Sequence, residues 1–558
     1  MRPNSLRHGG KILVDQLVRQ GVTTVFTVPG ESFLAALDGL HDTGSIRTII
    51  CRQEGGASMM AEAWGKLTGQ PGICFVTRGP GAANAMAGLH IAQQDSTPMI
   101  LLLGLPGERH EDREAFQEIE TKSVFGTFVK WTAVIRSTER IPEYLSRAFH
   151  VACSGRPGPV VLGLPEDMLS AVAEAIDAKP AVVPGAAPHA SDMAQLGTLL
   201  SRAERPLIIV GGPGWSAAAQ ANVERFASRL KLPVASGFRF QDYIDNRHAC
   251  YAGHVGIGPD AALARAVTEA DLLVVIGARL GEMTTSGYTL LDIPNPRQTL
   301  VHVHPSPDEL QTVYRADLPI VATAERFTAA LASVDVAAKP AWAAHTSELN
   351  AAYKRTLVPI PTPGRVQMED VVRTVSEVLP ERAIVTNGAG NYASFVHRYF
   401  EYRGWKSQLA PTSGSMGYGL PAAVAAKLAH PDIPVVAFAG DGCFMMTVQE
   451  LATAVQYQLP IVTIVANNGM YGTIRMHQEK TYPGRVVGTT LVNPDFAALA
   501  RSFGVHGETV TETEDFRPAL RRCLAQDKPS VIELKLDAEA LSPKQTLTQM
   551  RTAALAKG

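Results

Sequence analysis

No cysteine pair of the CxxC kind occurs in this chain. Its six cysteines (Cys51, Cys74, Cys153, Cys250, Cys443 and Cys523) are scattered, which provides neither a structural zinc site nor a disulfide framework and points to a reducing cytoplasm. No apolar run is long enough to span a bilayer, and the opening stretch MRPNSLRHGGKILVDQL lacks the apolar core of a secretory signal, so no membrane role is expected. An excess of either charge is also missing. The formal net charge of −2 argues against a nucleic-acid ligand or a polybasic membrane contact. Charged residues make up only 19% against 46% hydrophobic, which excludes a disordered chain. At 558 residues one core is excluded as well, and roughly two to four domains are expected.

What is present is an alternation of short β-branched runs with helical patterns. Strands are predicted at Val22–Val28, Ile73–Thr77, Met99–Gly104, Leu207–Gly211, Leu272–Gly277, Thr299–Val303, Ala383–Thr386, Pro434–Ala439, Ile461–Ala466 and Ser530–Leu536. Between them, stretches such as His8–Gln20 place Ile12, Leu13 and Leu17 on one helical face. This is the signature of doubly wound α/β domains with parallel sheets covered on both sides. Two segments interrupt it, 171–191 and 336–365, both rich in alanine and proline and both read as linkers. Three domains follow, at 1–175, 190–340 and 360–545. The first and third each carry a Gly-rich turn leading into a helix, GPGAAN from Gly79 and GYGLPA from Gly417, as if two related folds flanked a different middle one.

The strongest chemical signal lies near the C-terminus. Gly440-Asp441-Gly442 ends one predicted strand, and Asn467-Asn468 ends the next. In a parallel sheet both ends lie on the same edge, where ligands bind. Asp441 and Asn468 each offer a hard oxygen, and the turn at Gly469 lets the Met470 carbonyl supply a third. Such a set suits Mg²⁺ holding a diphosphate. Backbone N–H groups at Gly442 and Cys443, opening the next helix, would face the phosphate. Taken alone, either motif is also an ordinary turn; their succession favours the site.

GDG followed by NN at this spacing resembles the thiamin diphosphate signature. The whole chain is similar to the acetolactate synthase branch of that superfamily. Further motifs fall in order along nearly its full length: RQEGGASMMAEAWGKLTG (52–69), TRGPGAANAMAG (77–88), DSTPMILLLG (95–104), REAFQE (113–118), SGRPGPVVLGLPED (154–167), GARLGE (277–282) and GSMGYGLPAA (414–423). The resemblance implies a pyrimidine-binding, a central and a diphosphate-binding domain in that order. It implies that Glu54 contacts N1′ of the aminopyrimidine and so activates the cofactor, that Met416 wedges the cofactor into a bent conformer, and that the Gly414 carbonyl accepts from its 4′-amino group. Gly390 and Asn391, in the turn after Ala383–Thr386, correspond to a second diphosphate-holding loop, and Tyr471 lies beside the metal loop. The cofactor halves are expected from two subunits, hence a homodimer or homotetramer with sites at subunit interfaces.

Several positions depart from acetolactate synthases. Phe116 and Gln117 keep the substrate-site pair, but Glu166 stands where those enzymes carry a lysine, which should change the acceptor. His477 replaces a specificity tryptophan and lies on an expected lid, Thr473–Pro494. Arg78 stands where a small polar residue is usual, placed either to bind a substrate carboxylate or to form a structural ion pair. His90 and His110 are weaker acid–base candidates. In the central domain, Val210–Gly214 and Gly277–Arg279 are compatible with FAD or ADP, although His304 replaces an acidic residue that faces the nucleotide in relatives. The expected activity is thiamin diphosphate- and Mg²⁺-dependent cleavage or formation of a C–C bond in a small-molecule 2-oxo acid, with Glu54, Gln117, Arg78 and His477 as catalytic candidates. A decarboxylase, an acyl-CoA lyase, a C–C hydrolase or a cofactor binder without turnover are the alternatives.

Overall fold

The computed structural model describes residues 6–337 and 342–556. Among the described residues there are three six-stranded, wholly parallel sheets and one short antiparallel pair, Arg7–His8 with Val172–Ala173. In spatial order the N-terminal sheet holds Arg47–Ile50, Thr24–Thr27, Gly72–Val76, Met99–Leu105, Pro159–Pro165 and Trp131–Val134. The central sheet holds Tyr251–His254, Val234–Ser236, Pro206–Val210, Leu272–Ile276, Thr299–His304 and Leu318–Val321. The C-terminal sheet holds Gln408–Leu409, Ile384–Asn387, Val435–Gly440, Val462–Asn467, Ser530–Lys535 and His506–Val510. With strands numbered along the chain within each sheet, both flanking sheets run 2-1-3-4-6-5 and the middle one 3-2-1-4-5-6. The first and third domains thus share a topology that the second does not.

Every strand expected from the sequence is present, with ends displaced by one or two residues. Central strands such as Leu272–Ile276 and Met99–Leu105 are buried along their whole length, as helices on both faces require. The helix Gly9–Arg19 buries Ile12, Leu13 and Leu17 as its periodicity dictates. The first linker is mostly irregular and is strapped to that helix, where Gln16 exchanges hydrogen bonds with both backbone groups of Ala178. The second linker reading is corrected. Its middle is a helix, Ala343–Thr356, which buries Tyr353 and sends Asn350 Nδ2 to the Tyr251 carbonyl at 2.8 Å. Trp342, just before it, is also buried and donates to the Leu230 carbonyl. Alanine-rich composition marks this segment as a good helix former, and a single buried face is enough to dock it on the central sheet. The expected boundaries at 1 and 340 lie outside the described residues.

The N- and C-terminal domains share one core. At its centre the helix Glu54–Thr68 packs on the helix Gly419–Ala429, and both are lined with glycine and alanine. Small residues let the two backbones approach closely. Beside this contact runs a buried polar network. Glu62, wholly buried, accepts from Thr97 Oγ1 at 2.6 Å and Tyr418 OH at 2.5 Å. Burial raises its pKa, opposed by nearby Lys66. Lys66 is paired with Asp95 and donates to the Ala410 carbonyl at 2.9 Å. Asp95 also accepts the Thr412 backbone N–H at 2.8 Å and its hydroxyl. The network ties the helix to the loop that carries Gly414 and Met416.

Removing one partner of a buried pair leaves an uncompensated charge. Asp95→Ala is therefore expected to destabilise the chain by about 3 kcal/mol, seen as a lower urea midpoint. The double variant Asp95→Ala with Lys66→Met should recover part of that loss, because no orphan charge remains.

Candidate active site

In the N-terminal domain, Glu54 opens its helix directly after the edge strand Arg47–Ile50. Asn84 Nδ2 donates to its Oε2 at 2.9 Å. Gly81 lies so near that a Cβ there would come to 3.4 Å from Oε1. Arg78 sits at the end of Gly72–Val76, buried at 8% exposure. Its Nη2 donates to Glu166 Oε2 at 2.6 Å and its Nη1 to the Phe116 carbonyl at 3.2 Å, with Glu31 at 3.8 Å. Its Nε is enclosed without a partner. The guanidinium is thus already engaged by a carboxylate, in keeping with the ion-pair alternative. Gln117 takes a φ of +61°, and its carbonyl accepts from the Gly79 N–H at 2.8 Å; the neighbouring Phe116 is 69% exposed.

In the C-terminal domain, Asp441 and Asn468 follow adjacent strands at one sheet edge. Asp441 is 3% exposed. Its Oδ1 accepts from the Gly442 N–H at 2.8 Å, and its Oδ2 from the Gly469 N–H at 2.9 Å and Asn493 Nδ2 at 2.8 Å. Burial raises its pKa against these donors, and no basic side chain hydrogen-bonds to it among the described residues. A buried carboxylate beside a second amide oxygen fits a hard divalent cation. Asn468 Oδ1 lies 3.3 Å from the Met470 N–H. The Tyr471 ring covers Gly442, where a Cβ would come within 2.5 Å of it.

The Gly388–Asn391 turn ends the adjacent strand and opens the helix Tyr392–Tyr399. Gly390 has a φ of +149°, outside the usual range of side-chain-bearing residues. Asn391 Oδ1 accepts from Thr473 Oγ1 at 2.9 Å. Cys443 Sγ accepts from the Gly417 N–H at 3.1 Å and meets Tyr392 OH at 3.5 Å. This thiol links the GDG helix, the Gly388 turn and the loop of Gly414 and Met416. The expected lid proves more ordered than a loop. It forms the helix Gly472–Thr481, and its return limb pairs back on the metal loop through Tyr471 N–H to Thr489 O and Leu491 N–H to Gly469 O, at 2.9 and 2.8 Å. His477 is exposed on this helix.

A cavity of about 960 Å³ joins the central domain to this region. Arg239, His254 and His397 line one part, and Gly390, Gly414 and His477 another; His90 is also on its wall. Arg239 Nε and His397 Nε2 are buried without partners. Burial lowers the pKa of His254 to about 4 and also holds that of His397 well below the usual imidazole value. His304 is wholly buried, with its Nε2 unpartnered and its pKa lowered by burial to about 4. The nearby Glu309 is held by Arg279 at 2.8 Å and Arg156 at 3.3 Å. The end of Thr299–His304 thus carries a buried histidine, and Glu309 near it is engaged by two arginines, where a dinucleotide site usually presents a free acidic residue to the ribose.

Within one chain, Asp441, Asn468, Met470, Tyr471, Gly442, Cys443, Gly390 and Asn391 gather at the C-terminal sheet edge. Glu54, Arg78, Gln117 and Glu166 gather at the N-terminal one. No hydrogen bond among the described residues joins Glu54 to the metal loop. His110 is exposed on the N-terminal loop. Sequence reasoning overlooked Asn493, which also donates to Asn467 Oδ1 at 2.9 Å, and Asn84. Asn493 precedes a proline and reads as a turn, and Asn84 reads as an ordinary helix residue.

The chain is similar to known proteins along nearly its whole length. The thiamine pyrophosphate enzyme N-terminal TPP binding domain matches residues 7–124, the central domain 193–331, and the C-terminal TPP binding domain 388–534. The acetolactate synthase large subunit of Parasynechococcus marenigrum (strain WH8102) is 33% identical over 542 residues, covering 94% of this chain and 87% of the relative. Acetolactate synthase isozyme 2 large subunit of Escherichia coli (strain K12) is 30% identical over 95% of this chain and 96% of its own. The acetolactate synthase large subunit of Haemophilus influenzae is 30% identical over 96% of each.

Groups that orient a metal's ligands commonly change its affinity about 10- to 100-fold when lost. Asn493→Ala is expected to weaken divalent-metal binding by about that factor, measured by calorimetric titration of Mg²⁺ with thiamin diphosphate present. Unchanged affinity would show that Asp441 is oriented without it.

Proposed function

The chain belongs to the acetolactate synthase-like branch of the thiamin diphosphate-dependent enzymes, and on that premise we propose that it decarboxylates a 2-oxo acid with the help of Mg²⁺. The observation that carries this reading is the buried Asp441 carboxylate, facing no basic partner, beside Asn468 at one strand edge. When bound, thiamin diphosphate supplies a thiazolium that acts as the electron sink when CO₂ leaves. Asp441, Asn468 and the Met470 carbonyl would hold the metal. The Gly390–Asn391 turn and the Gly442–Cys443 backbone would hold the diphosphate. Gly414 and Met416 would seat the pyrimidine, and Glu54, oriented by Asn84, would hold a proton at N1′. Gln117 and His477 are the proposed substrate contacts, with Arg78 acting through its ion pair.

That ion pair bears on the second half-reaction. A carboxylate-bearing acceptor approaching Arg78 meets a guanidinium already neutralised by Glu166, with Glu31 close by. This arrangement favours a proton or a neutral carbonyl as acceptor over a second 2-oxo acid. A decarboxylase, acyl-CoA lyase or C–C hydrolase is therefore the second reading, beside carboligation. Product analysis with pyruvate separates them: acetolactate marks carboligation, and its absence rules out the parent activity.

A homodimer or homotetramer with sites at subunit interfaces is proposed as the working form. It is supported by the lack of any hydrogen bond between Glu54 and the metal loop among the described residues and by the exposure of Phe116, Met446 and Val492. FAD or ADP are the candidate occupants of the central cavity, and the chemistry above needs neither. A visible spectrum of the purified protein settles whether flavin is there. All six thiols are free, in keeping with a cytoplasmic site of action, and no helix among the described residues is long and apolar enough to cross a membrane.

Two variants test the assignment. Glu54→Gln is expected to slow exchange of the cofactor's C2 proton by at least about tenfold, followed by NMR after acid quench; wild-type exchange would remove Glu54 from the mechanism. Glu166→Gln, by releasing one charge-assisted hydrogen bond of Arg78, should raise the share of acetolactate formed from pyruvate by roughly tenfold. An unaltered product ratio would show that the pair does not face the acceptor.

A further inference from the structure

The turn that presents Glu54 is held in part by the other domain, beside the Cys51 N–H to Thr27 carbonyl bond and the Asn84 contact of its own. The N–H groups of Arg52 and Gln53, the two residues before Glu54, both donate to one oxygen of Glu450, Oε1, each at 3.1 Å. Glu450 opens the helix Glu450–Gln456 of the C-terminal domain and is wholly buried. Its other oxygen accepts from Thr453 Oγ1 at 2.6 Å. The approach is close enough to exclude any side chain at Gly56, where a Cβ would fall 2.5 Å from Glu450 Oε1. Around this contact the same segment of the C-terminal domain fixes the neighbouring backbone. The Ile50 N–H donates to Tyr457 OH at 2.7 Å, Tyr457 OH donates to the Thr48 carbonyl at 3.0 Å, and Arg52 Nη2 reaches Gln456 Oε1 at 2.7 Å.

A carboxyl with no exposure is an expensive way to join two domains that already share an apolar core. What it adds is direction. Two consecutive N–H groups converging on one oxygen fix the orientation of their peptide planes, and the next residue is Glu54. The negative group also lies where the helix Glu54–Thr68 begins, the end of the macrodipole that favours an anion. Nothing in the mechanism proposed above uses Glu450.

We infer that Glu450 is a positioning residue that sets the turn from which Glu54 projects. The inference rests on the reading of Glu54 as the activating carboxyl. The helix of Glu450 follows closely on the one that begins at Asp441. The domain that would hold a metal and diphosphate therefore also aims the activating carboxyl of its own chain.

The test compares Glu450→Ala, Glu450→Gln, Thr453→Val and Glu54→Gln as full-length proteins, each loaded with Mg²⁺ and thiamin diphosphate. C2-proton exchange and cofactor affinity are measured separately. Glu450→Ala should slow exchange about tenfold or more while cofactor affinity stays within about threefold of wild type. Glu450→Gln keeps an oxygen for the two N–H groups and should restore most of the rate. Thr453→Val, which frees only Oε2 and covers the case in which Glu450→Ala does not fold, should slow exchange by a smaller factor. Wild-type exchange in both Glu450→Ala and Thr453→Val, or exchange that falls only in step with cofactor affinity, would overturn the positioning role. Wild-type exchange in Glu54→Gln would instead remove the premise, so the two failures are distinct.

Discussion

Everything that matters for the site hangs on one helix, Glu54–Thr68, which belongs to the N-terminal domain and packs directly on the C-terminal one. Its glycines and alanines let it lie against Gly419–Ala429 at short range, and that closeness makes its polar groups meet partners from the other domain. At its start, Glu450 takes the Arg52 and Gln53 amides. In its middle, Glu62 takes the Tyr418 hydroxyl. Lys66 lies in its last turn and reaches Ala410, while Asp95 beside it takes Thr412. Each of these is a buried polar group with its partner across the seam. Sliding the domains past one another would leave several of them unsatisfied at once, at about 1–3 kcal/mol for each group left unpaired. Apolar packing alone would tolerate such a slip far better, since it is non-directional.

The two sheet edges treat charge in opposite ways. At the C-terminal edge a carboxylate is buried and, among the described residues, receives only neutral donors, the backbone N–H groups of Gly442 and Gly469 and the side-chain amide of Asn493. That environment holds the oxygens in place and leaves their charge uncompensated, the condition a divalent cation requires. At the N-terminal edge Arg78 is matched by Glu166 and flanked by Glu31. There the charge is satisfied internally, and the edge presents no free cation at Arg78.

Much of this was legible in the sequence, for physical reasons that can be named. Strands at the centre of parallel sheets are buried on both faces and read as continuous apolar runs. The strands that escaped notice lie largely at sheet edges, such as Trp131–Val134 and His506–Val510, where most residues are only partly buried and the continuous apolar run is lost. Motifs fixed by chain geometry, such as Gly390, Gly417 and the GDG turn, declare themselves because glycine answers a local need. The helix Ala343–Thr356 was hidden by a proline-rich border, and only its docking on Tyr251 makes it part of the central domain. Asn493 and Glu450 were illegible for a different reason. Each acts through a partner tens or hundreds of residues away, and nothing in the immediate surroundings of either residue distinguishes it from a turn asparagine or a helix-opening glutamate.

The shared strand order of the flanking domains gives these placements a common logic. In both, strand 2 leads towards one of the two helices at the seam: Arg47–Ile50 to Glu54–Thr68, and Gln408–Leu409 through the Gly414 and Met416 loop to Gly419–Ala429. The helices that clasp each other are therefore topological equivalents. Strand 3 carries Arg78 past its end in one domain and Asp441 in the other. Strand 4 leads to Phe116 and Gln117 in one, and to Asn468 and Met470 in the other. Equivalent positions of one fold thus present a compensated cation on one side and an uncompensated carboxylate on the other. A ligand that is anionic at one end, as a metal-bound diphosphate is, and needs a proton-sharing carboxyl at the other can be met only by two such edges of different character. Because Glu450 of the C-terminal domain holds the two amides before Glu54, neither edge of the chain is free to drift from the register that the other imposes.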